Sequence, residues 1–365
     1  MLVLFFTRFV IFGGQMRLFL CFCTIFLQAF PSGGLSEANL SCLNEEGQPV
    51  DWFIMYKLPR YKKGEVGSGV EYMYLDASML TWRMSPYAVN TSDGAVGRTL
   101  GRLYKTYKSN SSVYMLYNDA PPLLKYQSNY GHSKGTLLFD RSQGFWITHS
   151  IPHFPPFLEM GFGYPSTGKL YGQTVHCTTY SYEQFKKISQ QLAYINPRVY
   201  NCSVPVPYHT DMAAMAQLCG GKRPTVAPRR KLEKLKSALG ETFLSFSKSH
   251  QYVDDIYAGW VAQTLRTDLL VESWQRDNHQ LPSNCSLPYH VLNIKRVHLP
   301  ENITFSSYED HSKWCVSVEF RAQWTCLGDL NRESTQAYRG GGLICSQNPV
   351  VYKAFRQAVA WFKGC

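Results

Sequence analysis

Apolar and polar positions along this chain fall into short runs of two different periods. Strand spacing runs through SSVYMLYN (111–118), GFWITHSI (144–151), YHVLNIKRVHL (289–299) and QWTCLGDL (323–330), each rich in aromatic or β-branched residues. Helical spacing runs through VGRTLGRLYKTY (96–107), SYEQFKKISQQL (181–192), ETFLSFSKSHQYVDDIYAGWVAQTL (241–265) and NPVVYKAFRQAVAWF (348–362). Two of these helical patterns open on a cap, Ser181 ahead of Glu183 and Asn348 ahead of Pro349. Strands alternating with helices predict an α/β (α+β layered) architecture.

The order of elements occurs twice. GHSKG (131–135) is followed by an aromatic strand, a glycine-bearing loop GKLYG (168–172), Cys177 and a helix. DHSKW (310–314) is followed by an aromatic strand, a glycine-rich loop RGGG (339–342), Cys345 and a helix. A helix and a strand precede each copy. The pattern predicts two related halves, 35–221 and 237–365, joined by the Pro- and Lys/Arg-rich segment 222–236.

The first 34 residues read differently. Arg17 precedes the ten-residue apolar run Leu18 to Leu27 and the small-residue stretch PSGGLS, the layout of a secretory leader cleaved near Gly34, with Met16 as an alternative start. The run is too short to span a bilayer, so no stable membrane anchor is expected. A secretory route gives meaning to six Asn-x-Ser/Thr sequons, at Asn39, Asn90, Asn110, Asn201, Asn284 and Asn302. It also places the nine cysteines beyond the leader in a compartment that permits disulfides. Nine is odd, so at least one thiol stays free. With no CxxC pair among them, structural zinc is disfavoured.

Of 365 residues, 45% are hydrophobic and 15% aromatic, enough for one large core or two fused ones and incompatible with a disordered or fibrous chain. Lys and Arg exceed Asp and Glu by 37 to 26, so polyanions are the natural partners: nucleic acid, anionic membrane or acidic glycan.

The chemistry centres on the doubled tripeptide, because no other His-x-Lys occurs in the chain. Residues two apart in an extended segment share a face, which sets His132 beside Lys134 and His311 beside Lys313. Pairing the halves gives one site with two imidazoles and two ammonium groups, and no carboxylate cluster to hold a divalent metal. Such a site suits a phosphodiester. One histidine attacks phosphorus, the other protonates the leaving oxygen and then activates water, and the lysines hold the non-bridging oxygens. No metal or other cofactor is expected, and a charged imidazole favours mildly acidic conditions. His149 and His153 are spaced as metal ligands on a helix, but Pro152, Pro155 and Pro156 forbid that helix. His149 is better placed to support the site.

GQPVDWFIMYKLP (47–59), LYNDAPP (116–122), GHSKG, GFWITHSIPHFPP (144–156), LPSNCS (281–286), EDHSKWC (309–315), WTCLGDLNR (324–332) and RGGG, in this order, resemble the deoxyribonuclease II family, most closely its beta type. The resemblance covers nearly all of the chain beyond the leader. It implies a phospholipase D-like fold with two pseudo-symmetric halves, each a mixed sheet flanked by helices. The implied activity is that of a metal-independent acid endonuclease, lysosomal or also secreted, cutting double-stranded DNA to 3′-phosphate and 5′-hydroxyl ends through a phosphohistidine. His132, Lys134, His311 and Lys313 fall on the family's catalytic motifs, with His149 and Asn331 in supporting positions; Asp140 falls one place away from the superfamily's aspartate and takes no catalytic role. The implied disulfides are Cys42 with Cys177, Cys202 with Cys219, Cys285 with Cys365 and Cys326 with Cys345. Cys315 is then the free thiol, buried rather than nucleophilic.

Arg229, Arg230 and Lys231 in the basic segment are candidate phosphate contacts. No base-reading module is present, so little sequence specificity is expected. Two other functions fit parts of the pattern: a phospholipase D-like lipid phosphodiesterase, and an inactive secreted DNA-binding protein. The two histidines are equivalent in the sequence, which does not say which is the nucleophile.

Overall fold

The computed structural model describes residues 11–12, 15–16, 39–60, 67–275 and 279–365. The chain divides into two compact units, 1–34 and 35–365. Within the first, Ile11–Phe12 pairs antiparallel with Gln15–Met16. The apolar run 18–27 and the cleavage position near Gly34 lie outside the described residues.

Two large sheets build the second unit. The first has eight strands, in spatial order Val199–Ser203, Val113–Asn118, Lys134–Phe139, Gln143–His149, Gln173–Ser181, Trp52–Lys57, Tyr72–Asp76 and Arg83–Met84, all antiparallel. The second has nine, running Arg230–Lys236, Thr242–Lys248, Gly341–Ser346, Thr325–Gly328, Trp314–Ser317, Leu269–Glu272, Val291–Leu299 and Ile303–Ser306, with Val359–Lys363 added to Val291–Leu299. Leu269–Glu272 and Val291–Leu299 run parallel, which makes this sheet mixed.

Side chains alternate between two cores along each strand. In Trp52–Lys57, Trp52, Ile54 and Tyr56 face the core shared by both sheets, while Phe53 and Met55 face the core under helix Ala95–Thr106. In the second sheet Trp314, Val316, Leu327 and Ile344 face the shared core, and Cys315, Cys326 and Cys345 face a third core under the helical segment 257–265. Helix Tyr182–Ile195 also packs into the shared core, where Phe185 stacks on Phe139 with ring centroids 4.0 Å apart. This is a layered α+β fold whose two sheets bury their inner faces against each other.

Three expectations from periodicity need correction. Residues 241–265 do not form one helix: Thr242–Lys248 is a strand, and helical structure begins only at Tyr257. That strand is paired on both edges, by Arg230–Lys236 and Gly341–Ser346, and tertiary pairing outweighs local spacing. The C-terminal helix stops at Gln357, and Val359–Lys363 becomes a strand held next to Val291–Leu299. The basic segment 222–236 is not merely a connector, because Arg230–Lys236 is an edge strand of the second sheet.

Disulfides join Cys42 to Cys177, Cys202 to Cys219, Cys285 to Cys365 and Cys326 to Cys345. The Cys42–Cys177 bridge closes a loop of 135 residues, for which the chain-entropy model gives roughly 4–5 kcal/mol. Among the described residues no helix is long and apolar enough to cross a membrane. Three sequon asparagines (Asn90, Asn110, Asn302) are exposed and the other three are half-buried.

Candidate active site

Each His-Ser-Lys triplet lies in an extended segment just ahead of a strand. Lys134 opens Lys134–Phe139, and Lys313 immediately precedes Trp314–Ser317. Each histidine is held by the opposite half of the molecule. The backbone N–H of His132 donates to the Gly340 carbonyl at 2.8 Å, and that of His311 donates to the Gly172 carbonyl at 2.9 Å. These are the two glycine loops, GKLYG and RGGG. Glycine is required there: a Cβ on Gly172 would lie 2.4 Å from an Asp310 carboxylate oxygen, and one on Gly340 2.2 Å from the Ile195 carbonyl.

The ring nitrogens follow the same crossed rule. His132 Nδ1 is 2.7 Å from the Asp329 carbonyl, one residue past strand Thr325–Gly328. His311 Nδ1 is 3.0 Å from the Ser150 carbonyl, one residue past strand Gln143–His149. A carbonyl only accepts, so Nδ1 carries the proton in both rings and Nε2 keeps its lone pair. Burial pushes both histidines well below their ordinary pKa, with Lys134 adding to the effect at His132 and Lys313 at His311. A neutral imidazole at either position therefore presents an unprotonated Nε2.

Both rings wall one open cleft of about 340 Å³, together with Lys134, Asp119, Asn331 and Trp274. Lys313 lies deeper and donates to the His311 carbonyl. Burial, then the charge of Lys134, draws the Lys313 amine down to about 7. In mildly acidic solution the Lys313 ammonium is therefore charged. Among the described residues no group of three His, Cys, Asp or Glu side chains converges as a metal site.

The two halves are not identical. Asn118 pairs with Lys134, and Glu272 pairs with Trp314, so the residues just beyond these strands, Asp119 and Trp274, occupy matching places beside the two triplets. The Asp119 carboxylate accepts from Lys134 Nζ at 2.6 Å and from Arg339 at 3.0 Å, and lies 3.9 Å from His132 Nε2. Burial alone would raise this carboxyl, but Lys134, then His132 and Arg339, hold it well below the usual carboxylate range. Trp274 instead sets its ring edge-on to His311, with centroids 4.7 Å apart.

The structure therefore brings His132, Lys134, His311, Lys313 and Asn331 together. Asn331 lies on a loop anchored by its neighbour Arg332, which is bonded to Asp255 at 2.9 Å and to Asn293 at 2.6 Å. His149 stands behind the cleft rather than in its wall: its Nδ1 accepts from the Ile151 N–H at 3.1 Å and its ring packs against Phe154. Cys315 is buried and free, and burial pushes its thiol far up. In the basic segment, Arg230 lies over the rings of Tyr252 and Trp260, and Lys231 bonds Gln190, so both side chains are engaged within the fold. Periodicity and spacing did not single out Asp119 and Trp274 in the cleft wall, or Arg339, which bonds Asp119. Asp119 lies in LYNDAPP and Arg339 opens RGGG, but neither motif reveals that the two side chains meet.

Residues 41–365 match the family model for deoxyribonuclease II. The chain is 48% identical over 349 residues to deoxyribonuclease-2-beta of Homo sapiens, covering 94% of this chain and 96% of that protein. It is 40% identical over 335 residues to deoxyribonuclease-2-alpha of Sus scrofa, covering 90% and 91%. It is 37% identical over 337 residues to plancitoxin-1 of Acanthaster planci, covering 91% and 94%.

Proposed function

Because this chain belongs to the deoxyribonuclease II family, we propose that it is a hydrolase that cuts DNA by two-histidine chemistry in the cleft between its sheets. The observation that carries this reading is the crossed pair: two imidazoles, each locked through Nδ1 by a carbonyl of the other half, that line one cleft with Lys134.

One Nε2 attacks phosphorus. The N–P bond forms as the bond to the 5′ oxygen breaks, and the leaving oxygen takes a proton from the other, protonated histidine. That histidine, now neutral, removes a proton from water, which attacks phosphorus and breaks the N–P bond. The products carry a 3′-phosphate and a 5′-hydroxyl, and the enzyme returns to its starting state. Lys134 and Lys313 balance the charge that builds on the non-bridging oxygens, the task a metal ion performs in other phosphoryl-transfer sites. Acid favours the reaction, because the second histidine needs a proton that burial makes hard to hold.

The crossed pairing of equivalent elements supports a phospholipase D-like assignment of the fold and the division into halves at the basic segment. The N-terminal apolar run and the sequons support delivery to a lysosome or secretion. Double-stranded DNA bound through its phosphates, with little sequence preference, is the substrate that fits the paired His-Ser-Lys triplets and the net charge of +11.

The test is nicking of supercoiled plasmid at about pH 5 and about pH 7.5 in excess EDTA, with His132→Ala and His311→Ala as controls. Cleavage at the lower pH that survives chelation and is lost in both variants is the expected result. Cleavage abolished by EDTA overturns the metal-free mechanism.

A further inference from the structure

Four lysines are buried among the described residues: Lys57, Lys134, Lys248 and Lys313. Two belong to the His-Ser-Lys triplets. The other two, Lys57 and Lys248, are 0% exposed and lie outside the cleft wall, yet they are related to each other as the triplets are. Lys57 ends strand Trp52–Lys57 and pairs with Gln173, the residue after Gly172. Lys248 ends strand Thr242–Lys248 and pairs with Gly341, the residue after Gly340.

Both ammonium groups reach back onto the glycine loops. Lys57 Nζ donates to the Lys169 carbonyl at 3.0 Å and to the Tyr171 carbonyl. Lys248 Nζ donates to the carbonyls of Tyr252 at 2.9 Å, Ala337 at 2.8 Å and Arg339 at 2.7 Å. Each lysine thus fixes the carbonyl just before the glycine whose own carbonyl receives a catalytic histidine: Tyr171 before Gly172, Arg339 before Gly340. A buried cation is costly, and a loop anchor needs only a neutral donor. An ammonium supplies three donors from one atom and gathers several carbonyls that would otherwise repel one another.

Resting on the two-histidine reading above, we infer that Lys57 and Lys248 are a matched pair of positioning residues, Lys57 setting His311 through the Gly172 loop and Lys248 setting His132 through the Gly340 loop. Lys248 has a second route to the site, because the Arg339 it holds by the backbone donates its guanidinium to Asp119. The charged groups facing Lys57 are Asp310 and Glu71, and the titratable groups facing Lys248 are Asp254, Asp255 and His250. Burial draws Lys57 down to about 7 and Lys248 to about 8, so both clamps hold all their protons in acid.

The experiment uses the full-length protein with Lys57→Met or Lys248→Met, read by steady-state DNA cleavage and by fragment-resolved amide hydrogen exchange. The expected result is a fall in kcat of about 10- to 100-fold with KM within about twofold of the parent. Exchange should quicken at 310–312 in Lys57→Met alone and at 131–133 in Lys248→Met alone. Unchanged kcat in a folded variant overturns the inference, as does exchange that quickens throughout the chain. Should the methionine variants fail to fold, Lys57→Gln and Lys248→Gln keep one donor and give the same split. If neither folds, exchange in the parent decides, because His132 and His311 amides as fast as open loop amides refute the clamps. A parent chain that does not cut DNA sinks the functional reading instead, and the exchange measurement still judges the lysines.

Discussion

Asp119 and Trp274 occupy matching places in the two halves, each just beyond the strand that flanks a His-Ser-Lys triplet, and they give the two histidines opposite surroundings. Asp119 Oδ2 lies 3.9 Å from His132 Nε2, a carboxylate that favours the imidazolium. Burial and nearby cations favour the neutral form of both rings, but at His132 Asp119 offsets part of that pull, whereas His311 has an indole in the matching place. A nearly twofold site thus has one ring suited to carry a proton and one suited to attack.

His311 is therefore expected to be the nucleophile and His132 the general acid. A nucleoside 3′-(p-nitrophenyl phosphate) has a leaving group that needs no proton. With it, His132→Ala should accumulate a phosphorylated histidine, detected by mass spectrometry after an alkaline quench, and His311→Ala should form none. An adduct in His311→Ala reverses the assignment.

Asp119→Asn removes a nearby charge that raises the affinity of His132 for a proton. Without it the ring holds its proton only at lower pH, so the activity profile shifts toward acid. The same change leaves Lys134 and Arg339 without their shared anion, and kcat at the optimum falls roughly 10- to 100-fold. A pH–rate profile that stays in place despite the loss of rate would show that Asp119 acts only on the lysine.

Asp329 ties stability to pH. Burial raises its carboxyl to about 7, although the Gly342 N–H donates to it at 3.0 Å. The folded state therefore keeps a proton that the unfolded chain releases near about pH 4. Folded protein binds more protons between those values, so this group's contribution is full in acid and is lost as pH rises through about 7. Asp329→Asn should melt close to the parent at about pH 5 and above it at about pH 7.5. Thermal melts at the two values check this, and an equal offset at both contradicts it.

Cys315 pairs in register with Cys326, whose sulfur is bonded to Cys345 in the next strand, so a free thiol and a disulfide share one row of the sheet. Burial and the raised thiol leave it without nucleophilic character. Cys315→Ala is expected to keep kcat within about twofold and to lose about 1–2 kcal/mol of stability from the missing buried sulfur. Iodoacetamide should leave the native enzyme active. Rapid inactivation by alkylation at Cys315 would contradict this.

Much of the site was legible in sequence because its signals are local or repeated. The doubled His-Ser-Lys marks the two segments that meet at the cleft, and the glycine loops and aromatic strands following each copy lie where their order implies. Asn348 caps its helix as its spacing predicts, its side chain accepting from Val350 and Val351. Asp119, Trp274, Lys57 and Lys248 gave no such signal, since a lone carboxylate, indole or lysine on a strand reads as an ordinary residue until its neighbours are known.

What the sequence by itself determined is the chemistry of the centre: two imidazoles, two ammonium groups and two glycine loops in a repeated order, because residue type and short spacing are written directly in the chain. What only the tertiary structure decided is who holds whom. The fate of 241–248 as a central strand, the crossing of each histidine onto the other half, and the difference between Asp119 and Trp274 all depend on contacts between residues far apart in sequence. Such contacts are fixed by which sheet faces bury together and by strand register, and periodicity within one segment carries no record of either.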